Sequence, residues 1–160
     1  MKWFEFLRNA RESTDYEGYI IDHWKEADDK DIWLKICAEP LQMSFIEKCK
    51  DLVNWKAVCR YSQLTETFIE DHIDKIDWRS VSANQNLSLD FVKKHKYQLD
   101  WNTLMSRFRY PEEFLLELIN DDHIDLDIGV ALSNQSFTKE NVEMLSKRYR
   151  SLEISKSIKN

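Results

Sequence analysis

Residues 64–86, LTETFIEDHIDKIDWRSVSANQN, lie in register with residues 87–109, LSLDFVKKHKYQLDWNTLMSRFR. The leading leucine, a Phe, a His, an Asp-Trp pair and an apolar residue three past the Trp all coincide (Leu64, Phe68, His72, Asp77-Trp78 and Val81 against Leu87, Phe91, His95, Asp100-Trp101 and Leu104). A period of about 23 residues is short for a stacked array of helical hairpins. A unit this small cannot bury its own apolar face and has to stack on its neighbours. The repeat therefore predicts an all-α chain of stacked helical hairpins, a short α-solenoid-like array with degenerate terminal caps.

Composition agrees. Two Gly and two Pro are too few for a sandwich, a barrel or a flexible linker, and the abundant Leu, Ile, Lys, Glu and Asp suit helices. A chain of 160 residues has the size of one domain and can bury roughly 68–70% of its unfolded surface without a metal or disulfide. The expected organisation is a single helical-repeat domain over residues 1–160. A degenerate repeat spans 15–40, four repeats span 41–63, 64–86, 87–109 and 110–136, and a C-terminal cap spans 137–160. In the three tight units Phe45 and Trp55, Phe68 and Trp78, and Phe91 and Trp101 each stand ten apart; the outer units stretch this to fourteen, from Tyr19 to Trp33 and from Phe114 to Ile128. Trp3, Phe6 and Leu7 share one helical face and read as a half repeat that caps the array. At the other end Phe137, Val142 and Leu145 keep the pattern before the chain turns polar.

Each unit predicts a longer helix A and a shorter helix B. Helix A opens after Thr65, Ser88 or Thr138, whose side chains can accept a free first-turn amide, or at Pro111, which suits a first helical position. Helix B opens at Asn54-Trp55, Asp77-Trp78 or Asp100-Trp101 and closes on Ser, Asn or Gln. A Trp repeated at one position in every unit is expected in the core between hairpins, in preference to a platform for stacking bases.

His23, His72 and His95 share one register, which Cys49, Leu118 and Leu145 fill elsewhere. Adjacent helices lie about 8–10 Å apart, too far for successive rungs to share a zinc with ligands near ~2 Å. A packing role at the core edge is expected, with no metal and no cofactor. Cys37 and Cys59 sit four past the Trp, where Ser82, Met105 and Leu132 stand in other units. That is a packing position, and one repeat of separation exceeds the reach of about 7 Å for a disulfide. No glycine-rich phosphate loop, metalloprotease helix or nucleophile elbow is present, so no catalytic residue is assigned and the chain is not expected to be an enzyme. No apolar run approaches a membrane span or a signal sequence. Three cysteines without a disulfide pattern point to a reducing compartment, and the expected location is the cytoplasm, of the host if the chain is viral.

Charge is the most informative surface property. The net charge is −6, with the bases gathered on helix B: Lys35, Lys56, Arg60, Arg79, Arg107 and Arg109 against the single acid Glu39. Residues 64–77 carry five acids and one Lys, and residues 110–127 seven acids and no Lys or Arg. Stacked hairpins would line A helices on one surface and B helices on the other. The candidate binding residues are therefore Glu66, Glu70, Asp71 and Asp74 with Glu113, Glu117, Asp121, Asp122 and Asp125 on an acidic side. On the basic side they are Lys56, Arg60, Arg79, Arg107 and Arg109.

The unit LSxxFhxxHxxxhDWxxh, clear over residues 41–109, resembles the short helical repeats common in proteins of giant DNA viruses and of some bacteriophages. The resemblance implies an α-helical repeat protein of viral or mobile-element type whose usual role is to bind other proteins. Its motif specifies packing residues only. The expected function is a non-enzymatic protein-interaction module, such as a phage or viral factor that binds and inhibits a host defence protein. The alternative is nucleic-acid binding through the basic helix-B face.

Overall fold

The computed structural model describes the backbone of residues 1–158 and the side chains of residues 1–150. Among the described residues the chain is all-α, with twelve α-helices, one 3-10 turn and no strand. It divides into two compact units, Met1–Asn86 and Leu87–Asn160. The division falls at one of the repeat boundaries read from the sequence.

The first unit holds α1 (Trp3–Glu12), α2 (Tyr16–His23), a 3-10 turn (Trp24–Glu26), α3 (Ile32–Ile36), α4 (Met43–Lys48), α5 (Trp55–Tyr61), α6 (Glu66–Asp71) and α7 (Trp78–Asn84). The second holds α8 (Leu89–Lys94), α9 (Trp101–Arg107), α10 (Glu112–Ile119), α11 (Ile128–Asn134) and α12 (Lys139–Ile158). In the first, α1 packs on α2 and α5 on α7; in the second, α11 packs on both α9 and α12.

The caps predicted at Asn54, Asp77, Asp100, Thr65 and Ser88 form. Helix B opens under Asn54, Asp77 and Asp100, whose side-chain oxygens accept the amides of Ala57 (2.9 Å), Ser80 (2.8 Å) and Thr103 (3.0 Å). Asp127 repeats the device by accepting from Gly129 and Val130. Helix A opens under Thr65 and Ser88, each accepting from a Phe amide at 3.2 Å. Pro111 stands one place earlier than expected, as the extended residue before α10. In the three tight units the relative lengths are reversed, with six residues each in α4, α6 and α8 and seven in α5, α7 and α9, whereas the outer units keep the longer helix A, eight residues in α2 against five in α3 and eight in α10 against seven in α11. Helix A ends early because its chain goes straight into hydrogen-bonded turns, such as Leu52 and Val53 donating to the Cys49 carbonyl.

The core centres on the position three past the Trp. Val58 and Val81 in the first unit, and Leu104 and Ala131 in the second, are fully buried. The tryptophans themselves divide: Trp33 and Trp101 are buried, but Trp55 and Trp78 are only half-buried. Trp55, Trp78 and Trp101 all open helices, so that position does not decide burial, and Trp101 packs against the rings of Tyr110 and Phe114 at 5.9 and 5.8 Å. The indole N–H of Trp55 reaches the Lys50 carbonyl of the preceding turn at 3.0 Å, as that of Trp101 reaches Lys96 at 2.7 Å. At the N terminus, Phe6, Leu7 and Ala10 bury the face of α1 while Trp3 is exposed, contrary to the sequence reading. Near the C terminus, Leu145 joins Ile119, Ile128 and Ala131 in a core that Phe137 and Tyr149 partly cover, and Val142 faces solvent.

A buried side-chain amide ties the end of α7, and another the end of α11, to an earlier part of the same unit. Gln85, directly after α7, accepts the Leu64 N–H (2.9 Å) and donates to the carbonyls of Cys59 and Ser62 (both 2.8 Å). In the second unit Gln135, directly after α11, accepts the Tyr110 N–H (3.0 Å) and donates to Met105 (2.8 Å) and Phe108 (2.7 Å). Ser62, directly after α5, makes the accepting half of the same contact with the Leu41 N–H at 3.0 Å. In each case one side chain satisfies an amide or carbonyl that the end of a helix B or the next strand of turn would leave without a partner.

No described residue has a positive φ and no peptide is cis. The two glycines provide room: a β-carbon on Gly18 would strike the capping Asp15 carboxylate, and one on Gly129 would meet the Tyr149 ring at 3.1 Å.

Candidate functional site

The cysteines are built into the packing. Cys37 and Cys59 are fully buried, and the Cys37 sulfur accepts the amide of Asn54, the cap of the next helix B, at 3.4 Å. Burial pushes both thiols up to about 11. A nucleophilic cysteine needs a stabilised thiolate, and these sites do the reverse.

The histidines follow the same register as rings stacked on the helix-A aromatic four residues earlier. Tyr19 and His23, Phe68 and His72, and Phe91 and His95 have centroids 4.5, 4.4 and 4.5 Å apart. His72 is buried, with Nδ1 against the Phe68 carbonyl (2.9 Å) and Nε2 against a Glu47 carboxylate oxygen (2.8 Å). Both neighbours, a carbonyl and a carboxylate, are hydrogen-bond acceptors. Among the described residues no three His, Cys, Asp or Glu side chains come together as a metal-holding group.

The acidic candidates occupy three kinds of place. In the first unit Asp71 and Asp74 are exposed at the end of α6 and in the turn after it, while Glu66 and Glu70 are half-buried. In the second, Glu113 and Glu117 on α10 and Asp122 and Asp125 after it are exposed. Asp121 is a structural tie: its carboxylate receives the Lys96 ammonium (2.8 Å), the Tyr97 hydroxyl (3.1 Å) and the His123 amide (3.1 Å). The Lys96 hydrogen bond, with help from the His123 amide, brings its carboxyl down to about 2.

Next to these acids the structure places two exposed apolar side chains, one of which, Ile73, helical spacing counts with Phe68, Ile69 and His72 on the apolar face of helix A. Leu52 and Ile73 are 42% and 46% exposed. They lie in the turns after α4 and α6, which an ion pair between Lys75 and Asp51 at 3.2 Å draws side by side. Helix α6 ends at Asp71, so Ile73 falls in the turn and faces solvent against that expectation, and Leu52 likewise lies outside the helices. Each stands next to an Asp, Asp51-Leu52 and Ile73-Asp74.

The basic candidates divide between the units. Lys56, Arg60 and Arg79 line one concavity of about 280 Å³ in the first unit with Asp77, Ser80 and Asn84. Lys56 and Arg60 are one turn apart on α5, and Arg79 opens the packed neighbour α7. Arg107 and Arg109 belong to the second unit, where the Arg107 guanidinium lies 4.7 Å from the Phe108 ring and Arg109 reaches the Phe108 carbonyl at 3.5 Å. All five are exposed. Among the described residues no helix is long and apolar enough to cross a membrane. Set against protein-family models, curated proteins and solved structures, the chain matches none of them.

Proposed function

We propose that the chain is a non-enzymatic protein-interaction module, a short array of stacked helical hairpins, and that it acts as a phage or viral factor that binds and blocks a host protein. The observation that carries the interaction reading is the pair of exposed apolar side chains, Leu52 and Ile73, set among the exposed acids Asp51, Asp71 and Asp74 in adjacent turns. An apolar centre with a charged rim is the usual anatomy of an interface, and it suits a partner with apolar side chains among Lys and Arg. The viral part of the reading rests on the resemblance of the 23-residue unit to viral and phage repeats.

The test is affinity capture from host-cell lysates with the tagged wild type and a Leu52→Glu/Ile73→Glu variant, both first shown to melt at the same temperature. Both sites are exposed, so the fold should tolerate the change. A partner retained by the wild type and lost by the variant supports the reading. A wild type that retains nothing specific removes it, and equal capture by both places the contact elsewhere.

A further inference from the structure

The basic concavity of the first unit has a chemistry that the apolar turns do not explain. Lys56 and Arg60 point from one face of α5, and Arg79 enters from the first turn of α7. All three are exposed in a chain whose net charge is −6, so local placement and not overall charge makes this surface positive. One carboxylate, Asp77, sits among them. Burial works to raise its pKa, but hydrogen bonds from Ser80 and the charges of Lys56 and Arg79 outweigh it and hold the group below its ordinary value. That carboxylate already accepts the Ser80 amide at 2.8 Å as the cap of α7, and the lining holds three cations, Lys56, Arg60 and Arg79, and one acid.

Beside the concavity stands an aromatic surface. Tyr61 is 45% exposed, and the Arg60 guanidinium lies 5.3 Å from its ring centroid. Cations that track a phosphate backbone next to a ring on which a base can stack are the two parts of single-strand recognition. A duplex would ask for an element projecting into a groove, and the lining here is recessed.

We infer that the concavity formed by Lys56, Arg60 and Arg79, with Tyr61 at its edge, binds the phosphate backbone of single-stranded nucleic acid. Binding tolerates any sequence, because every nucleotide has a phosphate for the cations and every base a face to stack. It is also separate from the Leu52 and Ile73 surface, so either reading can fail alone.

The full chain is titrated into a fluorescein-labelled 20-nucleotide oligothymidylate at 20 mM salt, with anisotropy as the readout. Three phosphate contacts on a single strand give a salt slope of about −2, hence a loss of roughly 20-fold in affinity between 50 and 200 mM salt. A triple variant, Lys56→Gln/Arg60→Gln/Arg79→Gln, should lose at least about tenfold and keep the wild-type circular dichroism. Should the triple variant not fold, Lys56→Gln/Arg60→Gln on α5 alone should flatten the slope by about 1.4. No anisotropy change at 20 mM salt overturns the inference, as does undiminished binding by a folded variant. Saturable binding of a labelled polyglutamate peptide without binding of the oligonucleotide overturns it too, and gives the face to an acidic protein.

Discussion

Replacing Gln85 by Leu keeps the side-chain volume close to native and removes every polar contact of the amide that joins α5 and α7. Gln85 is 3% exposed, so water cannot readily take over. The Leu64 amide, on a residue 8% exposed, loses its acceptor, and the carbonyls of Cys59 and Ser62 lose their donor. An orphaned buried group costs about 1–3 kcal/mol, and the carbonyls lose about 0.5–1.5 kcal/mol each, partly offset by the apolar gain of Leu. The expected net loss is about 3 kcal/mol, a large fraction of the stability of any domain. It corresponds to a fall of roughly 6–12 °C in the melting temperature. Urea unfolding at 25 °C followed by circular dichroism measures it. A second variant makes the test specific to hydrogen-bond direction. Gln85→Glu keeps an acceptor for Leu64 but aims a carboxylate at two carbonyl oxygens. Burial and those oxygens raise the folded pKa of the new carboxyl, so the folded state binds more protons and stability recovers as pH falls from 7 to 5. A Leu variant within ~0.5 kcal/mol of wild type, or a Glu variant with no such recovery, refutes the clamp.

Trp101→Ala should cost about 3–5 kcal/mol, because a buried indole leaves a cavity; Trp55→Ala, at a half-buried rim, should cost clearly less, and thermal melts that reverse this order would contradict the burial pattern. The Asp121 carboxyl is held down to about 2 by the Lys96 ammonium first and the His123 amide next. A depressed folded value means that its contribution is complete above the unfolded value of about 3.9 and disappears as pH falls toward about 2. Asp121→Asn should therefore remove part of the loss of melting temperature across that window, and an unchanged acid limb would exclude the Lys96 tie as its source.

The sequence disclosed what local chemistry dictates. The Asn or Asp before Trp55, Trp78 and Trp101 can hardly do anything but cap, and Asn54, Asp77 and Asp100 all do so. The apolar residue three past the Trp is buried in every unit because helical geometry places it inward. The tryptophans were harder. Residue type says that an indole has much area to bury, but not how much its neighbours will cover: Trp55, Trp78 and Trp101 all open helices, yet of the three only Trp101 is buried. Gln85 and Gln135 each follow an Asn at the close of helix B, a visible pair. Their reach back across 21 to 26 residues in one case and 25 to 30 in the other was not, since it depends on which carbonyls a neighbouring helix leaves open. Among the candidate acids, formal charge could not separate Asp121, spent on Lys96 and Tyr97, from Asp122, which faces water.

The chain goes around its corners in backbone conformations open to any L-amino acid, with no position that demands glycine for its φ. Turn residues are then constrained by their side-chain contacts and hardly at all by the path of the main chain. The four-residue turn 50–53 and the longer passage 120–127 are both written in ordinary residues. Such corners can be rewritten, lengthened or grafted while the caps and buried amides hold the helices in place. The surface they present can be exchanged without inventing a new scaffold.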